Sequence, residues 1–277
     1  MKHLRTFQTG NIMLHSGITY AHPNVITAGS ADRIEKLADY LENPQIIQSP
    51  RKLVTAYGTY KGHKIMGFTT GMGPSSVSIT LPEAIEAYYT ADDAPSVDML
   101  ILGIGTSGGL QPFLKKGDMV STIGAERAES VSDKIMGSGY VAVASPEAVN
   151  VLYAAAEKMK VGKQSVYSGV NITTDELYEY NAWIAENGPH RAHTLSMEAS
   201  VHFAERDFYN KLLKKNIKAG ELLVISDNPM NPSEGHGYAD ASGNALSPEE
   251  TKVMEQKVEE AHILAGLEAV VLFRNQN

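Results

Sequence analysis

Residues 97–112 read Val-Asp-Met-Leu-Ile-Leu-Gly-Ile-Gly-Thr-Ser-Gly-Gly-Leu-Gln-Pro, and this stretch decides the fold class. The apolar run before Gly103 predicts a buried central strand over residues 97–102. A glycine-rich turn follows at the carboxyl end of that strand. Open α/β sheets bind ligands at this edge, where backbone N–H groups can hold an anion. The stretch therefore predicts an α/β protein with a ligand site beside these glycines.

The same glycines match the Gly-x-Gly-x-x-Gly pattern of dinucleotide-binding proteins, with Glu126 about 20 residues further on. Only about ten residues, among them Pro112, separate the glycines from the next predicted strand near Asp118. A crossover helix needs more length and does not tolerate a proline in its middle. We therefore expect no nicotinamide or flavin cofactor.

The rest of the chain alternates short β-branched runs with amphipathic stretches, which is typical of an α/β domain. Strands are predicted at residues 24–28, 53–60, 63–70, 118–124, 166–172 and 221–226, and helices at 32–41, 75–89 and 198–206 and after the caps Ser145 and Ser247. No repeat or low-complexity linker interrupts this pattern, which predicts one domain over residues 1–277. Residues 228–245, rich in Pro, Gly, Ser and Asn, are expected to form a loop at the site.

Composition excludes several classes of function. The 277 residues carry 24 Lys and Arg against 32 Asp and Glu, a net charge of −8, so nucleic acid is not an expected partner. The absence of cysteine excludes disulfides, thiol catalysis and zinc–thiolate sites. The sequence has no signal peptide pattern and no long apolar run, so we expect a cytoplasmic protein without a membrane partner.

Five short motifs occur in a fixed order along the chain. They are Thr-Gly-Met-Gly-Pro-Ser-Ser-Val-Ser-Ile at residues 70–79, the glycine turn at 103–112, Lys-Gly-Asp at 116–118, Met-Glu-Ala at 197–199 and Ser-Asp at 226–227. Together they resemble the nucleoside phosphorylase superfamily, which includes purine nucleoside and uridine phosphorylases and related nucleosidases. The resemblance implies a twisted central mixed sheet flanked by helices, and a homo-oligomer, a dimer or hexamer, with active sites at a dimer interface. It implies no metal and no cofactor, with inorganic phosphate as co-substrate.

The resemblance assigns four residues to the phosphate. Gly-Ser-Ala-Asp-Arg at residues 29–33 resembles the family's Gly-Asp-Pro-x-Arg loop, which implies phosphate binding by Gly29 and Arg33. The alternative for Arg33 is an ion pair with an acid on its own helix. Thr106 matches a hydroxyl residue that holds the same phosphate. Arg51 matches an arginine that reaches into the neighbouring subunit's phosphate site.

Three further residues match the family's ribose-binding positions. Met197 and Glu198 resemble the end of a Glu-Met-Glu motif whose second acid binds the 2′- and 3′-hydroxyls, whereas Ser196 replaces the first acid. A carboxylate at this place also favours the positive charge of an oxocarbenium ion. His15 lies in a His-x-Gly-x-Thr stretch that resembles a motif of uridine phosphorylases, which implies a contact with a neighbour's ribose.

The base is assigned to Tyr178, Ser226 and Asp227. Asp227 matches the acid that protonates purine N7 and makes the base a better leaving group, so it is the expected catalytic residue. The leading hypothesis is phosphorolysis of a purine ribonucleoside to free base and ribose 1-phosphate. A uridine phosphorylase is an alternative, motivated by the His15 motif.

Gly103 raises the possibility of a reaction that does not use phosphate. Family phosphorylases commonly carry a third phosphate-binding arginine at this position, and hydrolytic members such as AMP nucleosidase lack it. A hydrolytic nucleosidase is therefore a second hypothesis. A nucleoside-binding protein without catalytic activity is a third, because Ser196 and the absence of an arginine soon after Asp227 both depart from the family pattern.

Overall fold

The structure is a computed structural model that describes residues 15–18, 20–90, 97–177, 182–231, 237–239 and 244–276. These residues contain ten strands and seven helices. The strands are β1 (Asn24–Ala28), β2 (Glu42–Gln48), β3 (Val54–Tyr60), β4 (His63–Thr69), β5 (Leu100–Gly109), β6 (Met119–Ala128), β7 (Ala142–Val143), β8 (Val166–Thr174), β9 (Thr194–Ser196) and β10 (Lys218–Asp227). The helices are α1 (Ala31–Ala38), α2 (Pro74–Tyr89), α3 (Val131–Met136), α4 (Pro146–Met159), α5 (Ala182–Arg191), α6 (Ala199–Leu213) and α7 (Pro248–Gln276).

All ten strands belong to one mixed sheet. β4, β1, β5 and β10 run parallel to one another at its centre. β10 also pairs antiparallel with β6, and the sheet continues from β6 through β8 and β9 back to β5. These five strands, β5, β10, β6, β8 and β9, therefore close into a ring. The carboxyl ends of β1, β5 and β10 lie at one edge of the sheet, where a ligand site is expected.

The stretch that predicted the fold forms β5. Leu100, Ile101 and Leu102 are fully buried, as expected of a central strand. β5 continues through the glycines to Gly109, and the next element along the chain is β6. The glycines do not open a crossover helix, as their spacing predicted. The predicted turn at Gly103 is wrong, because the strand begins at Leu100 and runs on through the glycines to Gly109.

Helices cover both faces of the sheet and bury one large apolar core on each. One core contains Ile34 of α1, Leu152 of α4 and Leu267 of α7, all fully buried. The other contains Leu81 of α2 and Phe203 of α6, also fully buried. The predicted α/β class with helices around a central mixed sheet is confirmed.

Several boundaries differ from the prediction. The helix expected over residues 32–41 ends at Ala38, and the sequence did not predict β2, whose seven residues are all exposed. Of the predicted loop 228–245, the described parts are residues 228–231, 237–239 and 244–245, and Ala239 pairs with Ala245 in an isolated bridge. Among the helices in the described ranges, none combines the length and apolar character needed to cross a membrane.

Candidate active site

A cleft of about 690 Å³ opens at the carboxyl ends of β1, β5 and β10. The start of α6 and the segment after β8 form its other walls. Its lining residues are Gly29, Ser30, Arg33, Met72, residues 105–110, Thr174, Glu176, Leu177, residues 195–198, Ser226, Asp227 and Pro229. The cleft thus brings together seven of the residues that the sequence singled out, from distant parts of the chain.

Gly29, Arg33 and Thr106 lie at one end of this cleft. β1 ends just before Gly29, and the hydroxyl of Ser30 caps α1 by accepting a 3.4 Å hydrogen bond from the backbone N–H of Arg33. The positive end of the α1 dipole lies at this end of the cleft, which favours an anion. Thr106 is exposed in the cleft, and its hydroxyl can donate to such an anion.

Two contacts hold the guanidinium of Arg33 in place, one with the backbone of β5 and one with α7. Its Nη1 donates to the carbonyl oxygen of Ile104 at 3.3 Å, and its Nε lies 3.7 Å from Oε1 of Glu259 on α7. Burial lowers the pKa of Arg33, and the neighbouring acids Glu259 and Asp32 oppose that shift. Arginine nevertheless stays protonated, so the cleft keeps a positive charge here. Arg33 therefore pairs with an acid of α7, not with the acid of its own helix that the alternative named, and it lines the cleft as well.

A glycine turn between β4 and α2 lies beside the cleft and contributes Met72 to its lining. Gly71 and Gly73 have φ values of 79° and 86°, in the left-handed region that glycine adopts without strain. The backbone N–H of Gly73 donates a 2.8 Å hydrogen bond to Oε1 of Glu198. Met197 packs on the same turn, since a Cβ on Gly73 would lie 3.6 Å from its Cε. The turn thus positions both residues that resemble the ribose-binding pair.

Glu198 is the N-cap residue of α6, and its carboxylate turns toward the backbone of the preceding residue, Met197. Its Oε2 accepts a 3.2 Å hydrogen bond from the backbone N–H of Met197. Burial raises the pKa of Glu198, and the two backbone N–H donors from Gly73 and Met197 oppose this by favouring the carboxylate. Backbone groups therefore hold the acid in one orientation.

The end of β10, which pairs with β5 beside Thr106, carries two of the residues assigned to the base. The Ser226 hydroxyl lies 3.1 Å from the carbonyl oxygen of Ser107 and 2.9 Å from Oδ1 of Asp227, in position to donate to either. Asn228 fixes the chain after Asp227, because its buried side-chain amide donates to the carbonyl oxygens of Gln111 and Leu114 at 2.8 Å. Asp227 itself is exposed to the cleft.

Two residues of the predicted site, Arg51 and His15, lie outside the cleft lining, and a third is not described. Arg51 is exposed on the connection between β2 and β3 and does not line the cleft. His15 also lies outside the cleft lining, and its backbone N–H donates to Oε1 of Glu83 at 2.9 Å. Tyr178 falls outside the described residues. Their predicted roles, a partner's site for Arg51 and His15 and the base for Tyr178, stay predictions.

Ser196 replaces an acid of the family motif and belongs to a polar network behind the cleft. Its hydroxyl donates to Oδ1 of Asn171 at 3.2 Å, and the Thr173 hydroxyl donates to the same oxygen at 2.9 Å. Thr173 Oγ1 in turn accepts from the backbone N–H of Ser200 at 3.0 Å, near the start of α6. A serine here therefore stabilises the junction of β8, β9 and α6.

Sequence reasoning missed two buried titratable residues beneath the cleft. Glu221 of β10 is 2% exposed and His202 of α6 is 3% exposed, and Oε1 of the acid lies 3.6 Å from Nδ1 of the histidine. Nε2 of His202 lies 3.1 Å from the hydroxyl of Thr27. The available signal was a lone acid inside the apolar strand run that continues to Ile225.

Residues 23–207 match the family model described as Phosphorylase superfamily, which spans β1 to α6 and most of the cleft. The chain belongs to the phosphorylase superfamily. This confirms the resemblance drawn from the five motifs. Membership makes the chain an enzyme of the phosphorylase type, one that transfers pentosyl groups.

Superfamily relatives include both purine- and uridine-named proteins. The chain is 24% identical to a purine nucleoside phosphorylase of Plasmodium vivax, over 82% of this chain and 87% of the relative. It is 29% identical to a DeoD-type purine nucleoside phosphorylase of Clostridium perfringens, over 76% and 83%. It is 31% identical to a uridine phosphorylase of Haemophilus influenzae over 55% of this chain, but this match spans only 56% of that relative.

The superfamily fold also occurs in solved structures with similar topology. The purine nucleoside phosphorylase of Toxoplasma gondii, in complex with immucillin-H, superposes with a TM-score of 0.72 at 22% identity, covering 93% of each chain. The uridine phosphorylase of Vibrio fischeri superposes with a TM-score of 0.70 at 20% identity, covering 91% of this chain and 92% of the other. At these identities the likeness establishes the fold.

Proposed function

We propose that the protein is a cytoplasmic homo-oligomeric nucleoside phosphorylase that cleaves a purine ribonucleoside with inorganic phosphate. The observation that carries this proposal is the placement of Arg33, Glu198 and Asp227 on the walls of one cleft. A cation, a sugar-binding carboxylate and an acid are the three groups that the reaction requires. No thiol, metal or redox cofactor is needed for it.

The proposed reaction is a displacement at C1′ of the ribose. Arg33, Thr106 and the backbone at Gly29 hold phosphate at one end of the cleft, and Glu198 holds the 2′- and 3′-hydroxyls. As the bond from C1′ to the base nitrogen breaks, positive charge develops on the sugar, and Glu198 stabilises it. Asp227 donates a proton to N7 of the leaving purine, while a phosphate oxygen forms the new bond to C1′. The products are free base and ribose 1-phosphate.

Purine preference rests on Asp227, an acid that suits N7 of a purine. The relatives support both base classes, since a uridine phosphorylase and purine nucleoside phosphorylases are similar to this chain. The deciding experiment incubates the protein with inosine, adenosine or uridine in the presence of phosphate and follows release of the base. Faster cleavage of uridine than of both purines would contradict the purine assignment.

A hydrolytic nucleosidase is the second candidate, and one contact favours it. The Glu221 side chain lies over Gly103, the position at which the resemblance leads one to expect a phosphate-binding arginine. A glycine in place of that arginine removes one positive charge from the site, which weakens anion binding. The same incubations without phosphate separate the two reactions. Ribose 1-phosphate that forms only with phosphate supports phosphorolysis, and free ribose at the same rate without phosphate contradicts it.

Self-association is part of the proposal, because Arg51 is exposed and lies outside the lining of its own cleft. It follows β2, the last strand at one end of the described sheet. An exposed strand edge is a natural pairing surface. We expect sedimentation analysis to show a dimer or a larger even-numbered assembly.

A further inference from the structure

Three neighbouring strands contribute one buried row of residues just beneath the cleft. Gly103 of β5 pairs with Thr27 of β1 on one side and with Glu221 of β10 on the other. Thr27 and Glu221 are 1% and 2% exposed. Thr27 precedes Gly29 by two residues and Gly103 precedes Thr106 by three. At about 3.3 Å per residue, the row lies roughly 7–10 Å below the anion end of the cleft.

Gly103 makes the space that Glu221 occupies. A Cβ at position 103 would lie 3.0 Å from Cγ of Glu221 and 3.1 Å from its Oε1. These distances are too short for a side chain to be accommodated without movement of the acid. The glycine and the acid are therefore one structural unit, and the carboxyl group lies across the middle strand toward His202.

His202 connects the two ends of the row. Its Nε2 is 3.1 Å from the hydroxyl of Thr27, and its Nδ1 is 3.6 Å from Oε1 of Glu221. Among the described residues, neither Nδ1 of His202 nor Oε2 of Glu221 has a hydrogen-bond partner. Two unpaired polar atoms in one dry site are costly unless they interact. The 3.6 Å between Oε1 of Glu221 and Nδ1 of His202 is a contact and not a hydrogen bond. An imidazole with its proton on Nε2 is neutral, and a protonated Glu221 faces its Nδ1 without placing an uncompensated charge in this dry site.

The groups around Glu221 agree with that arrangement. Helix α6 presents His202 and, one turn earlier, Glu198, whereas β1 and β5 present the uncharged Thr27 and Gly103. Burial raises the pKa of Glu221 to about 8, and the negative charge of Glu198 adds to the shift. Burial lowers the pKa of His202 to about 4. Two backbone donors stabilise the Glu198 carboxylate, so the proton belongs on Glu221.

We propose that Glu221 is a positioning residue whose bound proton allows an anion to enter the cleft above it. The neutral Glu221–His202 pair adds no charge beneath the anion end, where Glu259 already lies 3.7 Å from Nε of Arg33. When Glu221 loses its proton, a second negative charge lies under the anion end and opposes phosphate. This inference rests on the proposed function, because it takes inorganic phosphate to be the ligand.

The test is calorimetric titration of the whole protein with inorganic phosphate from pH 6.5 to 9.5. In the wild type we expect the dissociation constant to rise about tenfold above pH 8, the size of effect that a unit charge exerts at this distance through a protein. In Glu221→Gln, which keeps a donor for His202 but cannot ionise, the constant should stay within about twofold over that range. Glu86→Gln is the matched control, because Glu86 is a fully buried acid outside the cleft lining. It should follow the wild type.

The same pH dependence in Glu221→Gln as in the wild type would overturn the inference and leave the proposed function intact. A wild type that neither binds phosphate nor cleaves nucleosides at any pH would overturn both. If Glu221→Gln fails to fold, infrared spectroscopy of the wild type decides. A protonated carboxyl band present at pH 7 that is lost by pH 9.5 supports the inference, and its absence at pH 7 contradicts it.

Discussion

The backbone N–H of Gly73 donates a 2.8 Å hydrogen bond to Oε1 of Glu198, a residue 125 positions further along the chain. The turn before α2 thereby orients the carboxylate that we assign to the ribose. Glu198→Gln keeps an oxygen acceptor for Gly73 but removes the negative charge that stabilises a cationic sugar. We expect kcat/KM for the nucleoside to fall about 10²- to 10³-fold.

Steady-state kinetics check this prediction, and urea unfolding shows whether the fold is kept. The free energy of unfolding should change by less than about 1.5 kcal/mol, because the hydrogen bond to Gly73 can still form. Glu157→Gln, at an exposed acid paired with Lys160, serves as the control. Equal kinetics in Glu198→Gln and this control would remove Glu198 from the ribose site.

Asp227 is expected to act on the leaving group, and that role can be separated from binding. In Asp227→Asn the amide can still hydrogen-bond to a base but cannot give up a proton as an acid. We expect kcat with a purine nucleoside to fall about 10²- to 10⁴-fold. With p-nitrophenyl riboside, whose leaving group needs no proton, the loss should be much smaller.

Release of base and of nitrophenolate, measured side by side, gives the two rates. A loss of similar size for both substrates would mean that Asp227 supports the fold or the sugar and not the leaving base. No loss for either substrate, together with tight nucleoside binding and no turnover in the wild type, would favour a binding protein.

Arg51 allows a test of a shared active site. If each cleft uses its own Asp227 and the partner's arginine, then Arg51→Met and Asp227→Asn are each inactive for a different reason. In a mixed dimer, one of the two clefts receives both intact residues. Equal mixing after dissociation should restore about a quarter of the wild-type activity for a two-fold assembly.

The measurement compares the activity of the mixture with the activity of each variant alone. The size of the assembly is read by sedimentation in parallel. A monomeric wild type with full activity, or an Arg51→Met variant whose phosphate KM is unchanged, would exclude the arrangement.

Two buried histidines predict how stability depends on pH. Burial, followed by the nearby charge of Arg33, lowers the pKa of His262 to about 3, and burial lowers the pKa of His202 to about 4. Unfolded histidine titrates near pH 6.5, so between about pH 6.5 and 4 the unfolded chain binds more protons than the folded one. Stability from both residues is therefore complete above pH 6.5 and falls as the pH decreases. In Glu221→Gln, whose side chain cannot titrate, we expect the unfolding free energy to drop by about 3 kcal/mol from pH 7.5 to 5.5. In the wild type, proton uptake by Glu221, whose pKa burial raises to about 8, offsets much of this drop.

Urea unfolding of Glu221→Gln at the two pH values measures this drop. Adding His262→Gln to that variant should remove about half of it, because one titrating group is gone while an amide can still donate to the carbonyl oxygen of Leu222, which His262 Nε2 contacts at 2.9 Å. His190→Gln, at an exposed histidine, should leave the drop unchanged. A Glu221→Gln variant whose stability is flat from pH 7.5 to 5.5 would contradict the buried neutral state of the two histidines.

Features set by neighbouring residues could be predicted from the sequence. The cap of α7 is an example: the backbone N–H of Ser247 donates to Oε2 of Glu250 at 2.9 Å, and the N–H of Glu250 lies 3.3 Å from Oγ of Ser247. The buried strand before Gly103 was predictable for the same reason, since an apolar run is a local signal, whereas the turn expected at Gly103 is wrong because β5 continues to Gly109. The residues that line the cleft could also be predicted, because the family motifs lie at the ends of strands.

Features set by strand register could not be predicted. The row of Thr27, Gly103 and Glu221 exists only because β5 lies between β1 and β10. No local sequence pattern indicates this order of strands in the sheet. The sequence did not predict β2, because this strand is fully exposed and contains Pro44. It therefore lacks both the alternation of apolar and polar residues and the apolar composition of a buried strand. The role predicted for Arg51 depends on a neighbouring subunit, which a single chain does not contain.

The position of β10 has a consequence for synthesis of the chain. This strand is made last of the ten, yet it lies between β5 and β6. A growing chain that has not reached residue 218 therefore exposes unpaired edges of two strands, each able to pair with another chain. It also lacks Asp227 and one wall of the cleft. A nascent protein of this topology gains its ligand affinity late and needs protection from aggregation until then.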